Sequence, residues 1–181
     1  MIIKCTQKLL RQLGEKPASP TDPSDSNSKL GDWYANLLLI ERRKCLLFTN
    51  EKTLFSFLIA GVKKEDFKKL PKLFSETLKS VLHQDGFDNN TIEDIISDFG
   101  TIRYGKTSSK SVLGSMVDIA FQYEVSISYE GGLLYCNLPE IIHRINRTPM
   151  SAIDYSCGIK ELKKIFDISY DVSKSFSIND N

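Results

Sequence analysis

The 181-residue chain has little of what announces a catalyst or a secreted protein. It holds two histidines, one tryptophan and four cysteines, and its 24 Lys plus Arg nearly cancel its 23 Asp plus Glu, leaving a formal net charge of +1. That balance supplies no global field for nucleic acid or an acidic membrane, so any such partner must be met by a local patch. No apolar run reaches the ~18–20 residues of a membrane helix. Lys4 and Lys8 interrupt the stretch where a leader would need its apolar centre, so the expectation is a cytoplasmic protein with no membrane partner. Cys5, Cys45, Cys136 and Cys157 are spaced 40, 91 and 21 residues apart, with no C-x-x-C pair to start a zinc knuckle. Cys5 and Cys45 fall in the strand-like runs MIIKC and CLLFT, where a reduced thiol packs as a small apolar group. Convergence of distant cysteines on a metal, or a cysteine nucleophile with His83 or His143 as base, stays open as an alternative. Neither G-x-S-x-G nor H-E-x-x-H occurs, and Gly114-Ser115 with Asp118 lacks the D-x-D that would hold two metals. No pattern names a metal or a cofactor.

What is present is an ordinary globular composition, 41% hydrophobic and 26% charged, long enough to bury roughly 70% of its extended-chain surface. Ile2 to Cys5 reads as a strand running into a helical turn that Gly14 stops. Residues 15–30 bring three prolines, many serines and almost no large apolar side chain, the composition of a flexible loop. Between Asp32 and Ile59, DWYANLLLI, CLLFT and TLFSFLI alternate with period two across short polar turns, which predicts an antiparallel meander. In the first run both faces are largely apolar, so that strand is central, and Asn36 needs a hydrogen-bond partner. A helix follows Pro71 and closes at Gly86, a second is capped at Asn90 with Glu93, and a short strand covers TIRY. Ser111 to Tyr129 contains no Lys or Arg and reads as the most buried helix at least through Glu124, its far end left open by β-branched residues, with Ser111, Ser115, Asp118 and Gln122 as a polar stripe at either a solvent edge or a cleft floor. Further helices start near Pro139 and span Ile159 to Phe166. The fold expected is α+β: an antiparallel sheet of four to five strands with helices packed mainly on one face. Residues 1–166 form one domain and 167–181 a frayed tail.

Gly100 to Thr107, GTIRYGKT, satisfies the phosphate-cradling pattern G-x-x-x-x-G-K-[ST]. Its context does not fit: the preceding NTIEDIISDF carries helical periodicity where a P-loop leaves a parallel strand, and Thr-Ile-Arg-Tyr are strand formers. A lesser reading remains. Arg103, Lys106, Thr107, Ser108, Ser109 and Lys110 precede the apolar helix, where free N–H groups and the helix dipole favour an anion; the Asn146-Arg147-Thr148 turn could complete the site, and Arg42, Arg43 and Lys44 could assist from a hairpin. The alternative is plain capping by Ser108 or Ser109. These residues lead to a non-catalytic binding protein whose partner is a phosphate-bearing ligand, a nucleic-acid backbone or another protein. The competing class is an enzyme acting on a nucleotide or nucleic acid, with Asp118 as acid/base or metal ligand and Lys106 stabilising phosphate charge.

CTQKLL, GDWYANLLLIERRKCLLFTNEKTLFSFL, KSVLGSMVDIAFQYE and INRTPMSAI together resemble a bacterial domain family of unknown function. The resemblance spans nearly the whole chain apart from the loop and the tail. It implies a bacterial, single-domain protein and no particular activity. It draws attention to polar positions within the matching motifs, Asp32, Trp33, Asn36, Arg42, Arg43, Thr49, Asn50, Ser115, Asp118, Asn146, Arg147 and Thr148. It also implies that Lys106 and Thr107 belong to the pattern more securely than Gly105, which counts against a P-loop.

Overall fold

A computed structural model describes residues 1–14 and 28–170. The expected flexible loop lies outside the described residues except for its last three positions, and the expected tail lies outside them beyond residue 170. Five strands, β1 (Ile2–Cys5), β2 (Trp33–Ile40), β3 (Arg43–Asn50), β4 (Ser56–Ile59) and β5 (Arg103–Lys106), form one sheet in the order β4-β3-β2-β1-β5. The mixed α+β class and the meander hold: Trp33 pairs with Asn50 and Phe48 with Phe57 in antiparallel register. Glu41 and Arg42, both at positive φ, make the two-residue turn between β2 and β3, in the hand that matches strand twist.

Two features of the expected sheet change. β1 runs parallel to both of its neighbours, with Ile3 beside Trp33 and Tyr104, so the sheet is mixed and not purely antiparallel. Parallel neighbours require long connections, and the chain supplies them: α1 (Gln7–Leu13) and the following segment lead into β2. The second change concerns the faces, because helices cover both of them. Trp33, Phe48 and Phe57 share one face and meet Phe74 of α2 (Leu70–Gln84) at ring separations of 5.2, 5.1 and 5.5 Å. Tyr34 and Ser56, one residue out of phase, look the other way and bond to the two halves of α4 (Lys110–Tyr129). A central strand that is apolar on both sides must be buried on both, which one helical layer cannot do.

The helices follow their local signals with small displacements. α3 (Asn89–Ser97) is capped by Asp88, which accepts from Thr91 N–H and Thr91 hydroxyl, two residues earlier than the Asn90 cap expected. α4 continues past Glu124 to Tyr129 despite its β-branched residues. α5 (Leu138–Ile145) has Pro139 in its first turn, where a missing N–H costs nothing, and α6 (Gly158–Ile165) closes the described core. Residues 28–30 return the chain to β2: Ser28 and Leu30 are buried, and Asn50 donates to Leu30 O while accepting from Thr53. Asn36 finds its partner in the Thr6 hydroxyl at 3.0 Å.

Candidate functional site

The expected anion residues divide into two groups that lie far apart. The first surrounds the junction of β5 and α4. Ser109 is the N-cap, its Oγ accepting from Val112 N–H at 3.3 Å, and its own N–H donates to the Tyr34 hydroxyl at 2.9 Å. Tyr34 and Ser108 share a further hydrogen bond of 3.2 Å. The hydroxyls that could have held a phosphate are therefore engaged in starting the helix and fastening it to β2. Arg103 and Lys106 stand three residues apart on one strand, so alternation sends them to opposite faces of the sheet, where they cannot grip one anion. Thr107 is half-buried; Lys106, Ser108 and Lys110 are exposed. Gly105 is a flat strand position against β1, where a Cβ would come 2.9 Å from Ile2 Cγ2, so the central residues of GTIRYGKT form a ladder and not a phosphate loop.

Nearby charge does not favour an anion either. Lys4 Nζ lies 2.6 Å from Glu51 and 3.3 Å from Asp32, and 5.4 Å from the Tyr34 ring centroid. Burial works to lower the Lys4 pKa, but the hydrogen bond and charge of Glu51, with Tyr34 and Asp32, outweigh it and hold the value above that of an ordinary lysine. This half-buried cation is thus already matched by two carboxylates.

Asn146, Arg147 and Thr148 sit beside β4, at the other edge of the sheet. Four inter-strand spacings separate that edge from β5, roughly 19 Å at ~4.8 Å each. Asn146 is 2% exposed; its Oδ1 accepts from Ser56 N–H at 2.7 Å and its Nδ2 donates to Ser56 O at 2.7 Å and to Ile142 O at 3.0 Å. Arg147 donates to Asp85 Oδ1 at 2.8 Å and to His143 O at 3.0 Å, and the Thr148 hydroxyl bonds to Arg144 O. The turn is a structural clasp and does not complete a site with Lys106. Sequence reading missed Asp85, whose side chain is 1% exposed and also faces His143 Nδ1 at 2.8 Å without the alignment of a hydrogen bond. Asp85 Oδ2 and Arg147 Nε have no hydrogen-bond partner among the described residues.

Asp118, the candidate acid, is exposed on α4. It lies nine residues beyond Ser109, about 13 Å along the helix axis, so it does not share a cleft with Lys106. The polar stripe containing it is split: Ser115 is buried, Gln122 reaches Met150 Sδ at 3.9 Å, and Ser111 and Asp118 meet solvent. All four cysteines are free thiols, Cys5, Cys45 and Cys157 buried. Burial pushes the Cys45 thiol up, and burial followed by the Glu130 charge does the same for Cys136, which leaves both as protonated, poor nucleophiles at neutral pH. No group of three or more His, Cys, Asp or Glu among the described residues is placed to hold a metal ion.

One surface was not foreseen. α4 buries Val112, Met116, Ile119, Ala120, Tyr123 and Ile127, yet its outer side carries Val117, Phe121, Val125 and Tyr129 at successive intervals of four, with Phe121 66% and Tyr129 91% exposed. Leu134 and Tyr135, just beyond the Gly131-Gly132 turn, extend the apolar surface. The helix was expected to be the most buried of the fold, with its polar stripe at a solvent edge or a cleft floor; it is buried on one side and exposes apolar side chains on the other. Beside this ridge, a groove toward the end of β2 is lined by Leu39, Ile40, Glu41, Glu124, Ile127 and Ser128.

The family described as Domain of unknown function (DUF6933) matches residues 2–161. The chain belongs to this family. The match takes in all five strands, the β5–α4 junction, the Asn146–Arg147 clasp and the outer ridge of α4, so the DUF6933 domain contains every candidate discussed above. No match was found among curated proteins or among solved structures. No helix among the described residues of this DUF6933 chain is long and apolar enough to cross a membrane.

Proposed function

We propose that the chain is a non-catalytic binding protein that engages a partner protein through the outer face of α4. The observation carrying this reading is the ridge Val117, Phe121, Val125 and Tyr129. Leu134 and Tyr135 bring the large apolar side chains exposed on this stretch of the chain to six, and clustered exposed apolar side chains mark interaction sites. The four free thiols suit a reducing compartment, in keeping with a bacterial cytoplasm. A photo-activatable phenylalanine analogue at position 121 should cross-link a defined partner protein in cells. The same group at the exposed Lys72 of α2 should not. Equal labelling from both positions, or none from 121, removes the reading. Because Phe121 is exposed, Phe121→Ala should change stability by less than about 0.5 kcal/mol, so lost cross-linking of the partner by a second probe on the ridge would not reflect unfolding.

A second reading retains the anion site in reduced form: a phosphate-bearing ligand held by Lys106 and Lys110, which are exposed together where β5 meets α4. A titration of inorganic phosphate and pyrophosphate should then raise the melting temperature of the chain but not of its Lys106→Ala variant. An unshifted melt of the unmodified chain ends this reading.

A further inference from the structure

The ridge of α4 also carries information about what it binds. From Ser111 to Ile142 the chain has no Lys or Arg and four acids, Asp118, Glu124, Glu130 and Glu140. That segment carries −4 and the rest of the chain +5, giving the formal net charge of +1. The near-neutral total thus combines an acidic segment without Lys or Arg and a remainder of the sequence with net positive charge, and Arg144, paired with Glu130, borders Phe121 and Val125. On the ridge itself the charged residues are Asp118 and Glu124, both exposed carboxylates without an ion pair among the described residues. Glu130, at the end of α4, is already committed to Arg144 at 2.6 Å. Glu124 and Glu41 flank the groove whose apolar wall is formed by Leu39, Ile40 and Ile127; Arg42 and Arg43, which follow Glu41 in the hairpin, limit the acidic stretch on that side.

Resting on the interaction reading above, we infer that the partner segment is a basic amphipathic helix. It lies along α4 with its apolar side on Val117, Phe121 and Val125 and its Lys or Arg side chains on Glu124 and Asp118, Glu41 Oε2 being already engaged by Leu133 N–H at 3.1 Å. The ridge runs over the thirteen residues from Val117 to Tyr129, about 18 Å or three helical turns, the reach of one docked helix. Apolar side chains four apart on the partner match a ridge built at the same interval, since rows of i±4 residues interdigitate when helices pack. Opposite charge on the two rims selects this partner and steers its approach, whereas desolvated apolar side chains hold it. A second copy of this chain bringing its own α4 would set Asp118 and Glu124 against the same carboxylates, a like-charge arrangement that works against pairing.

The test uses the full chain and two labelled four-turn helical peptides, one of leucine and lysine, the other of leucine and glutamate in the same pattern, followed by fluorescence anisotropy and light scattering. The leucine–lysine peptide should bind roughly tenfold or more tightly than its acidic counterpart. Phe121→Ala should weaken it by a similar factor with an unchanged melting temperature, and Asp118→Lys with Glu124→Lys should abolish the preference. Equal binding of the two peptides, or binding indifferent to both sets of substitutions, overturns the inference. A chain that is dimeric by light scattering and becomes monomeric on Phe121→Ala overturns it in favour of a second copy. Failure with both peptides while position 121 still cross-links a protein in cells rejects the basic helix alone; failure of both measurements rejects the interaction reading as well.

Discussion

At Asn146 a single side-chain amide replaces a strand. β4 is an edge of the sheet, and the amide gives Ser56 both the acceptor and the donor that a neighbouring strand would have supplied. Asn146→Ala should leave the buried Ser56 N–H unpaired and Ser56 O with only the longer bond from the Tyr123 hydroxyl, and cost roughly 1–3 kcal/mol, measured as a lower urea midpoint with unchanged slope. Arg147→Ala should cost more, about 3–5 kcal/mol, because Asp85 would remain as an uncompensated charge inside the protein. Lys106→Ala, at an exposed position, should be close to neutral. Had Arg147 been an anion ligand in the open, the order would be reversed. At this scale the sequence conveyed residue type but not address. Asn146, Arg147 and Thr148 are the side chains a binding turn would use, and they are equally those a clasp would use. What distinguishes the two is Asp85, sixty-two positions away from Arg147 and unremarkable in its own neighbourhood of the chain. Ser109 was legible as a cap because capping is local; the Tyr34 hydroxyl that completes its bonding comes from seventy-five positions earlier.

Among the elements, α4 shows how far periodicity reaches. Its start, its helical character and its central burial follow from composition, since a stretch without lysine or arginine forms the floor of one sheet face. Which side stays uncovered does not follow, because the polar stripe is narrow and apolar residues flank it on the exposed side as well as on the buried one. The join between α4 and α5 depends on Glu130, whose carboxylate accepts from Asn137 N–H at 3.0 Å and from Arg144 at 2.6 Å. Burial works to raise the Glu130 pKa, but Arg144 and the Asn137 N–H outweigh it and hold it below the usual glutamate value. A depressed folded-state value means the stabilisation is complete above the ordinary glutamate range and fades as pH falls through the lower folded value. The protection of the Asn137 N–H, its exchange rate relative to the unfolded chain at the same pH, should therefore fall on acidification below that range, and Glu130→Gln should lower it already at neutral pH. The loss in global stability should stay below about 1 kcal/mol, as for other partly exposed ion pairs. Protection at Asn137 independent of both pH and substitution would show that the join is held by packing alone.

For the molecule as a whole, the decisive piece is the shortest in reach. β1 is four residues at the beginning of the chain, yet it occupies an interior position in the sheet, with Ile3 fully buried between Trp33 and Tyr104. Its strand character was legible; its place was not, because a run such as MIIKC reads the same at an edge as in the middle, and nothing local specifies parallel pairing. Ile3→Asp should accordingly abolish cooperative unfolding in urea, as expected when an unpaired charge is placed in a dry core. A two-state transition close to that of the unmodified chain would mean that the other strands suffice. The pairing of Ile2 with Arg103 spans a hundred and one positions, so it closes one of the longest loops the fold contains. On a ribosome emitting about 5–20 residues per second, β1 and the meander are present several seconds before β5 has been made. During that wait the backbone of β1 has an open side, a template for any extended segment within reach. Translation speed across the α2–α3 stretch therefore sets how long a nascent chain must be shielded, and slow codons or a missing holdase there should reduce soluble yield without altering the finished protein.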